Sequence, residues 1–497
     1  MPFDPERPRV LHTHQGGRGF PASPQGELLL LVAGSLFSGD LFYERAAERE
    51  ARFALLAAEV TQQDPEFVAL LATYARQVLG LRSGPSALVA HLFWWGPVEV
   101  ARGTAQRVWL RGDEHLETLA YTRAQGWRIR KALKRAVAQR LNAMSPQALL
   151  KYRQGGRGFR QRDALILCHP KAPDREHALV YEWLVRGRKA RPEARALVET
   201  LLVERPTWER ILSRKGSTPE AWREALPHLS GLALVRNLNN LHRHGLLGDP
   251  GVQGWLARRL GDPGVARWGL FPYQWLQALL QGEELGYPPA VLSALEGALE
   301  ASLPSLPLQG ESLVLVDVSG SMYHPLSARS QATYALAAAS LGALLYRATG
   351  GQLYGFDSRI IPLPYGPDAP LGRMVRHLLE AGGGGTHLGE ALRKTLPGFP
   401  GRRVVILTDE QVADDAYTPL RRWLGEDPSR VAHVVNMAGY GPLAFPERGV
   451  SRVAGFSGRL LELLAVLEAQ DPAAHLRARV SGASLAGEEE GEEGEEE

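Results

Sequence analysis

Ser312-Leu313-Val314-Leu315-Val316-Asp317-Val318-Ser319-Gly320-Ser321 is the stretch from which the fold can be read. An unbroken Val/Leu run that ends on a carboxylate and a Gly-containing turn is the pattern of a strand buried on both faces of a parallel sheet. After it the Ala/Leu-rich segment Ala328 to Thr349 reads as a helix. Further short strands are expected at Gln352 to Phe356, Arg403 to Thr408, Val431 to Met437 and Val450 to Gly455. Helices are expected between them at Leu371 to Glu380, Leu388 to Thr395 and Thr418 to Leu424, with a closing helix at Arg459 to Ala469. Alternating strands and helices predict a doubly wound α/β domain over residues 312–470.

The loop after the first strand sets a carboxylate and two hydroxyls, Asp317, Ser319 and Ser321, at alternate positions. Hard cations such as Mg²⁺ prefer oxygen donors and keep some of their waters, so a few protein ligands suffice. Ligands of open α/β sheets also bind beyond the carboxyl ends of the strands. Two later loops add to the chemistry: Gly382 to Gly385 ends in Thr386, and the strand Val404 to Leu407 runs into Thr408, Asp409 and Glu410. Asp, Ser and Gly are also what an ordinary turn contains. The order of the three loops favours a metal site over that reading. A hydrolytic site would need an activated water and a base, for which His324 and His387 flank the loops. No second carboxylate cluster accompanies them, so loop packing is the expected role of these histidines.

Working outward, residues 303–311 hold Pro, Gly and Ser and read as a linker. Before it, from about Leu28 to Leu299, apolar residues recur three and four apart: Phe53, Leu56 and Val60, then Leu116, Leu119 and Ala120, then Leu133, Val137 and Leu141. Pro65, Pro85, Pro146, Pro192, Pro219 and Pro250 fall at expected helix starts or connections. Short antiparallel helix pairs over residues 28–302, stacked as loose HEAT-type repeats, follow from that punctuation. Residues 1–27 are left as an N-terminal arm. The apolar stretch Leu28 to Phe37 is too short to span a bilayer and reads as a buried helix segment.

The chain has 497 residues, 44% of them hydrophobic and 22% charged, which excludes a small disulfide-stapled protein and a disordered or fibrous one. One cysteine, Cys168, excludes an internal disulfide and a multi-thiolate zinc site, and a cytoplasmic location is expected. The net charge of +3 hides an asymmetry. Glu488 to Glu497 holds eight Glu and two Gly, and without it 57 basic residues face 46 acidic ones. Residues 471–497 are expected to be a solvated, disordered tail.

The positive charge is concentrated in two adjoining stretches. From Arg123 to Arg140 there are seven cations and no acid, and the spacing predicts Arg128, Lys131, Lys134 and Arg135 on one helix face. Repulsion along a single-sign stripe calls for a polyanion. The second stretch carries Lys151, Arg153, Arg157, Arg160, Arg162, His169 and Lys171, with Tyr152 and Phe159 interleaved. Cations neutralise phosphates, and aromatic and guanidinium planes stack on unpaired bases. RNA is the expected ligand; a protein-binding adaptor built around the metal site, with no RNA, is the alternative.

Two family resemblances sharpen these readings. The segment from Ser312 to Ala469 is similar to a von Willebrand factor type A domain with a metal-ion-dependent adhesion site. The resemblance implies Asp317, Ser319, Ser321, Thr386 and Asp409 as the coordinating set. It also implies Mg²⁺, with a carboxylate of a partner protein completing the shell. Glu410 departs from the family, where many members have Gly, and is expected either to fill the open position or to repel an acidic partner.

The second resemblance lies in the helices. Lys151-Tyr152-Arg153-Gln154-Gly155-Gly156-Arg157-Gly158 and Arg162-Asp163-Ala164-Leu165-Ile166-Leu167-Cys168-His169-Pro170-Lys171 resemble the TROVE domain of the Ro ribonucleoprotein family, bacterial members included. Tyr74-Ala75-Arg76 with Leu81-Arg82, and Gly231-Leu232 with Arg236-Asn237-Leu238, resemble it in the same order. The resemblance implies a monomeric ring of HEAT-like helical repeats followed by the α/β domain. It further implies a non-catalytic scaffold that binds small non-coding Y RNA and single-stranded ends of misfolded RNAs. A 3′ to 5′ exoribonuclease such as polynucleotide phosphorylase is the implied protein partner, with no membrane involved. By position, Lys151, His169 and Arg157 match the family's RNA-contacting residues.

Overall fold

The structure, a computed structural model, describes residues 11–34, 41, 43–155, 158–203, 207–303, 306, 308–326, 330–446, 450–455, 464 and 468. Expectations for Arg157, for the tail at 471–497 and for most of the Arg459 to Ala469 helix therefore lie outside the described residues. The chain forms two compact units, one of residues 1–52 and 230–476 and the other built mainly of residues 53–229.

The unit of residues 53–229 is helical. Its helices include Pro65–Gln77, Ser83–Trp95, Val98–Val108, Glu114–Ala124, Lys131–Ala143, Pro146–Lys151, Gln161–Cys168, Arg175–Arg186 and Pro192–Val203. Proline sets several of the starts, because a ring with φ near −65° and no N–H suits the first helical position. Asp64, Ser145 and Thr218 precede Pro65, Pro146 and Pro219, and their side chains accept from Phe67 N (3.0 Å), Ala148 N (3.2 Å) and Ala221 N (3.2 Å). Pro85 departs slightly, as the third residue of its helix.

Polar side chains tie the helical core together around Glu114 and His115. Glu114 is fully buried and its carboxylate accepts from Arg76 Nε (2.7 Å) and Arg111 N (2.7 Å), although burial still raises its pKa. One residue along, His115 Nε2 lies 3.0 Å from Gln161 Oε1, while Gln161 Nε2 donates to Gly112 O at 2.6 Å. Burial lowers the His115 pKa to about 4, so a neutral ring serves there as a donor. This bridge anchors the start of helix Gln161–Cys168 and thereby the basic loop before it.

The other unit holds a six-stranded sheet. Its strands are β1 (Ser312–Asp317), β2 (Gly351–Phe356), β3 (Ile360–Pro362), β4 (Arg403–Thr408), β5 (Val431–Asn436) and β6 (Ser451–Ala454), in the order β3-β2-β1-β4-β5-β6. All neighbouring pairs are parallel except β2 with β3. Every residue of β1 and β4 is buried, as their apolar runs require. The short antiparallel edge strand β3 was not expected: three residues carry too little pattern to register. Helix Tyr334–Thr349 begins later than Ala328, because Thr333 caps it by accepting from Leu336 N at 3.2 Å.

Two segments outside 312–470 belong to this unit. Helix Pro272–Leu285 packs on helix Tyr334–Thr349, and ion pairs join Arg347 to Glu300 (2.6 Å) and Arg376 to Glu283 (2.8 Å). The N-terminal residues 11–34 also fold onto it. Gly17 N donates to Val412 O at 2.9 Å, and a Cβ at Gly17 would lie 2.4 Å from that oxygen. Helix Pro24–Gly34 is buried from Leu28 on, except at Leu29, with Gly34 against Ala438 and Gly439.

At the far end of the sheet Glu468 gathers Arg403 (Nη2 to Oε2, 2.7 Å), Arg402 (3.2 Å) and His433 (3.0 Å). Burial alone would raise the Glu468 pKa, but the hydrogen bonds and charges of Arg403 and His433 outweigh it and hold the carboxyl at about 2. The folded value lies below the unfolded one, so the unfolded chain takes up the proton first as pH falls. This contribution to stability is full above the unfolded value of about 4.5 and is lost between there and about 2. Acid titration followed by circular dichroism should show Glu468→Gln with a weaker loss of stability across that window; an identical profile would disprove the linkage.

Candidate metal site and basic surface

At the carboxyl ends of β1 and β4, where the strand order reverses direction, the loops bring five oxygen-bearing side chains together. Asp317, Ser319, Ser321, Thr386 and Asp409 are all buried there. Ser319 Oγ and Ser321 Oγ lie 3.4 Å apart, and Ser321 Oγ donates to Asp409 Oδ2 at 2.7 Å. Asp317 is oriented by Ser319 N on Oδ1 (2.9 Å) and by Thr408 Oγ1 on Oδ2 (2.6 Å). The Gly-rich run is laced to the first loop by Gly383 N to Val318 O (2.8 Å) and Gly320 N to Gly384 O (2.9 Å). A Cβ at Gly382 would sit 2.5 Å from Val318 O, so the approach depends on glycine.

Two observations fit a divalent cation at this cluster. Thr386 Oγ1 is fully buried and has no hydrogen-bond partner among the described residues, an orphan acceptor that a cation would satisfy. Both carboxyls are pushed up, Asp317 by burial and the charge of Asp357, Asp409 by burial and then by Asp317. Two carboxylates that repel one another in a dry site are stabilised by a cation between them. The donors are all hard oxygens, the preference of Mg²⁺. No group of three or more His, Cys, Asp or Glu suited to a metal occurs among the described residues.

Glu410 does neither of the things expected of it. Its φ is +61°, which turns the side chain away, and the carboxylate is consumed by Arg452 through Nε (2.7 Å) and Nη2 (2.9 Å). Asn436 Nδ2 (2.9 Å) and Ala444 N (3.1 Å) use its remaining acceptor sites. Left-handed backbone of this kind is a conformation that glycine adopts without the steric cost a side chain brings.

Sequence reasoning missed two contributors, Asp357 and Tyr43. Asp357 is buried and holds the Gly-rich loop through Gly384 N (2.9 Å), while its carbonyl accepts from His387 N (2.9 Å). Tyr43 stacks on His14 with ring centres 4.9 Å apart, and its hydroxyl accepts from Gln15 Nε2 at 2.6 Å. Burial raises its pKa, Asp409 and Asp317 add to the rise, and hydrogen bonds to Gln15 and Ser321 oppose it. The arm itself reaches the loop that carries Asp409, where His14 N donates to Gln411 Oε1 at 2.9 Å. A Ser-Gly-Asp signal marked the ligands; nothing local marks a tyrosine far away in sequence.

The basic stretches meet in the helical unit. Helix Lys131–Ala143 packs against Gln161–Cys168, and the charge of Lys134 acts on Cys168, whose thiol burial raises to about 11. Asn142 Nδ2 donates to Lys171 O at 2.9 Å, and Asn142 Oδ1 accepts from Tyr181 OH at 2.8 Å. Arg128, Lys131, Arg135, Lys151, Arg160, Arg162, His169 and Lys171 are exposed, while Lys134 and Arg153 are half-buried. Among the described residues no carboxylate lies within ion-pair distance of any of these cations.

One correction concerns Arg128: it precedes the helix, in an irregular segment, because Gly126 with φ +72° ends the preceding turn and helix Lys131–Ala143 starts only after Arg130. Lys131 and Lys134 lie in the first turn with no acid beside them, where the helix dipole disfavours cations. His169 ends its helix in the left-handed conformation, φ +46°, with an exposed ring. It lines an open cleft of about 570 Å³ with Tyr181, Glu182, Arg186 and Arg191. Tyr74 and Arg76 are structural, the first buried and the second paired to Glu114.

Residues 194–285 match the TROVE domain family. Over that segment the chain is similar to the TROVE domain. The matched segment contains Gly231-Leu232 and Arg236-Asn237-Leu238 and begins after the two basic stretches. The crystal structure of the Deinococcus radiodurans RO (RSR) protein superposes with a TM-score of 0.68 at 22% identity, over 90% of this chain and all of that one. The chain therefore has the fold of that Ro protein, helices followed by a mostly parallel α/β domain. No curated protein matches the sequence. No helix among the described residues is long and apolar enough to cross a membrane.

Proposed function

We propose that this protein is a non-catalytic RNA-binding scaffold of the Ro type. The observation that carries the reading is the set of exposed cations on helix Lys131–Ala143 and around Lys151 and His169, none of them paired with a carboxylate among the described residues. Phosphates would supply the missing counter-charge, and the cleft at His169 would accept an unpaired end. Small structured Y RNA and single-stranded ends of misfolded RNAs are the proposed ligands, and a 3′ to 5′ exoribonuclease such as polynucleotide phosphorylase the proposed partner. Crosslinking RNA in native cells and sequencing what is recovered tests this; recovery no higher than for an unrelated basic protein would refute it.

The metal site belongs to the same proposal. Asp317, Ser319, Ser321, Thr386 and Asp409 would hold Mg²⁺, which supplies a Lewis-acidic position for a partner's carboxylate. This chain's own residues orient the donors: Thr408 and the Ser319 amide fix Asp317, and Asp357 fixes the loop that carries Thr386. At ten times the dissociation constant a ligand stabilises the fold by about 1.4 kcal/mol. The unit of residues 1–52 and 230–476 has an unfolding entropy of about 0.6 kcal/mol/K, so that is a rise of roughly 2 °C in melting temperature. Magnesium should give such a rise over chelator in the wild type and none in Thr386→Val; a melt indifferent to magnesium would remove the metal from the proposal.

A further inference from the structure

The two basic stretches leave one feature of the helical unit unexplained, a group of indoles at the end of helix Ser83–Trp95. Trp94 and Trp127 stack in parallel with ring centres 5.3 Å apart and an interplanar angle of 6°. The Arg130 guanidinium lies 4.0 Å from the Trp94 ring centre, and its Nη1 donates to Trp94 O at 2.8 Å. Trp127 is braced from inside by His91 (4.9 Å, edge-on) and Tyr121 (6.2 Å, edge-on). His91 is itself buried and lies 3.0 Å from Tyr121 OH through Nε2. Trp95 stands perpendicular to both stacked rings, 6.3 Å from Trp94 and 6.4 Å from Trp127, and is 42% exposed.

A rigidly braced stack that leaves a tryptophan open to solvent beside unpaired cations has a specific chemistry. An indole face takes any nucleobase, because every base has a π-face, and stacking is tolerant of sequence. Arg130 on the Trp94 ring and Arg128, next to Trp127 in the chain, are both exposed, and the run from Arg123 to Arg140 contains no acid. The acid nearest to Trp95 in the sequence, Glu99, lies 3.3 Å from Arg102. An apolar protein partner would be served by the ring but not by that charge; a nucleic acid strand is served by both.

We propose that Trp95, set by the Trp94–Trp127 stack, is a platform for one unpaired base of a single-stranded RNA whose adjoining phosphates are met by Arg128 and Arg130. The inference rests on the RNA-binding reading above and adds a subsite to it. Trp95 does the stacking, while Trp94 and Trp127 position it.

The test compares a short oligoadenylate with an abasic oligomer of the same length, each titrated into the full chain and into Trp95→Ala. Loss of one base–aromatic stack should weaken oligoadenylate binding about 10-fold and leave the abasic oligomer unchanged. Trp95→Tyr, which keeps a ring, should restore most of the loss. Equal weakening for both oligomers, or a Trp95→Ala variant as tight as wild type, overturns the platform while leaving RNA binding in place. Wild-type protein that binds neither oligomer overturns both readings. Capture of an apolar peptide in place of RNA, abolished by Trp95→Ala, would assign the platform to a protein partner and likewise overturn it.

Discussion

Changing Lys131, Lys134 and Arg135 together to Ala is expected to weaken RNA binding by about 100-fold at 0.1 M salt and to flatten its salt dependence. Each phosphate contact releases a counterion, so the logarithm of affinity falls by about 0.7 to 0.9 per decade of salt for each cation engaged. Three contacts correspond to roughly two to three units of slope. The three side chains lie at the start of one helix with no acid in its first turn, so their removal relieves repulsion within the fold. Stability should hold or rise slightly while affinity drops. That opposition separates a binding role from a structural one, since a structural role would lower both. Filter binding across a salt series and a parallel urea melt check the two arms. An unchanged slope would mean that phosphates are met elsewhere.

Arg452→Ala is expected to destabilise the sheet-bearing unit by about 3–5 kcal/mol, the cost of leaving a buried carboxylate without its partner. Glu410 is fully buried, and Arg452 supplies two of its four contacts. Glu410→Gly should cost less, because glycine relaxes the left-handed backbone at that position, and the double change Glu410→Gly with Arg452→Ala should recover part of the loss. Urea unfolding of the three variants measures this. Equal destabilisation by Arg452→Ala alone and by the double change would show that the buried charge is not the cause.

Much of the site could be read in advance because its ligands are local. Asp317, Ser319 and Ser321 sit on one loop at alternate positions, and Thr386 and Asp409 each follow a recognisable signal, a glycine run and a buried strand. Glu410 was misread because a residue type does not reveal where the backbone points it; a positive φ and the distant Arg452 decided that. Arg128 was misplaced for a related reason, since charge spacing alone cannot show where a helix begins.

From the amino-acid order alone came the helical character of the first part, the alternating strands and helices of the second, the oxygen-rich loops and the single-sign charge. These are set by side-chain periodicity and chemistry within a short window of chain. Tertiary structure alone decided that the N-terminal arm folds onto the metal loops, that Asp357 and Tyr43 stand beside them, and that Trp94, Trp95 and Trp127 assemble next to Arg130. The physical reason is that burial and stacking join residues far apart in sequence, and no local pattern records which distant surface a side chain will meet.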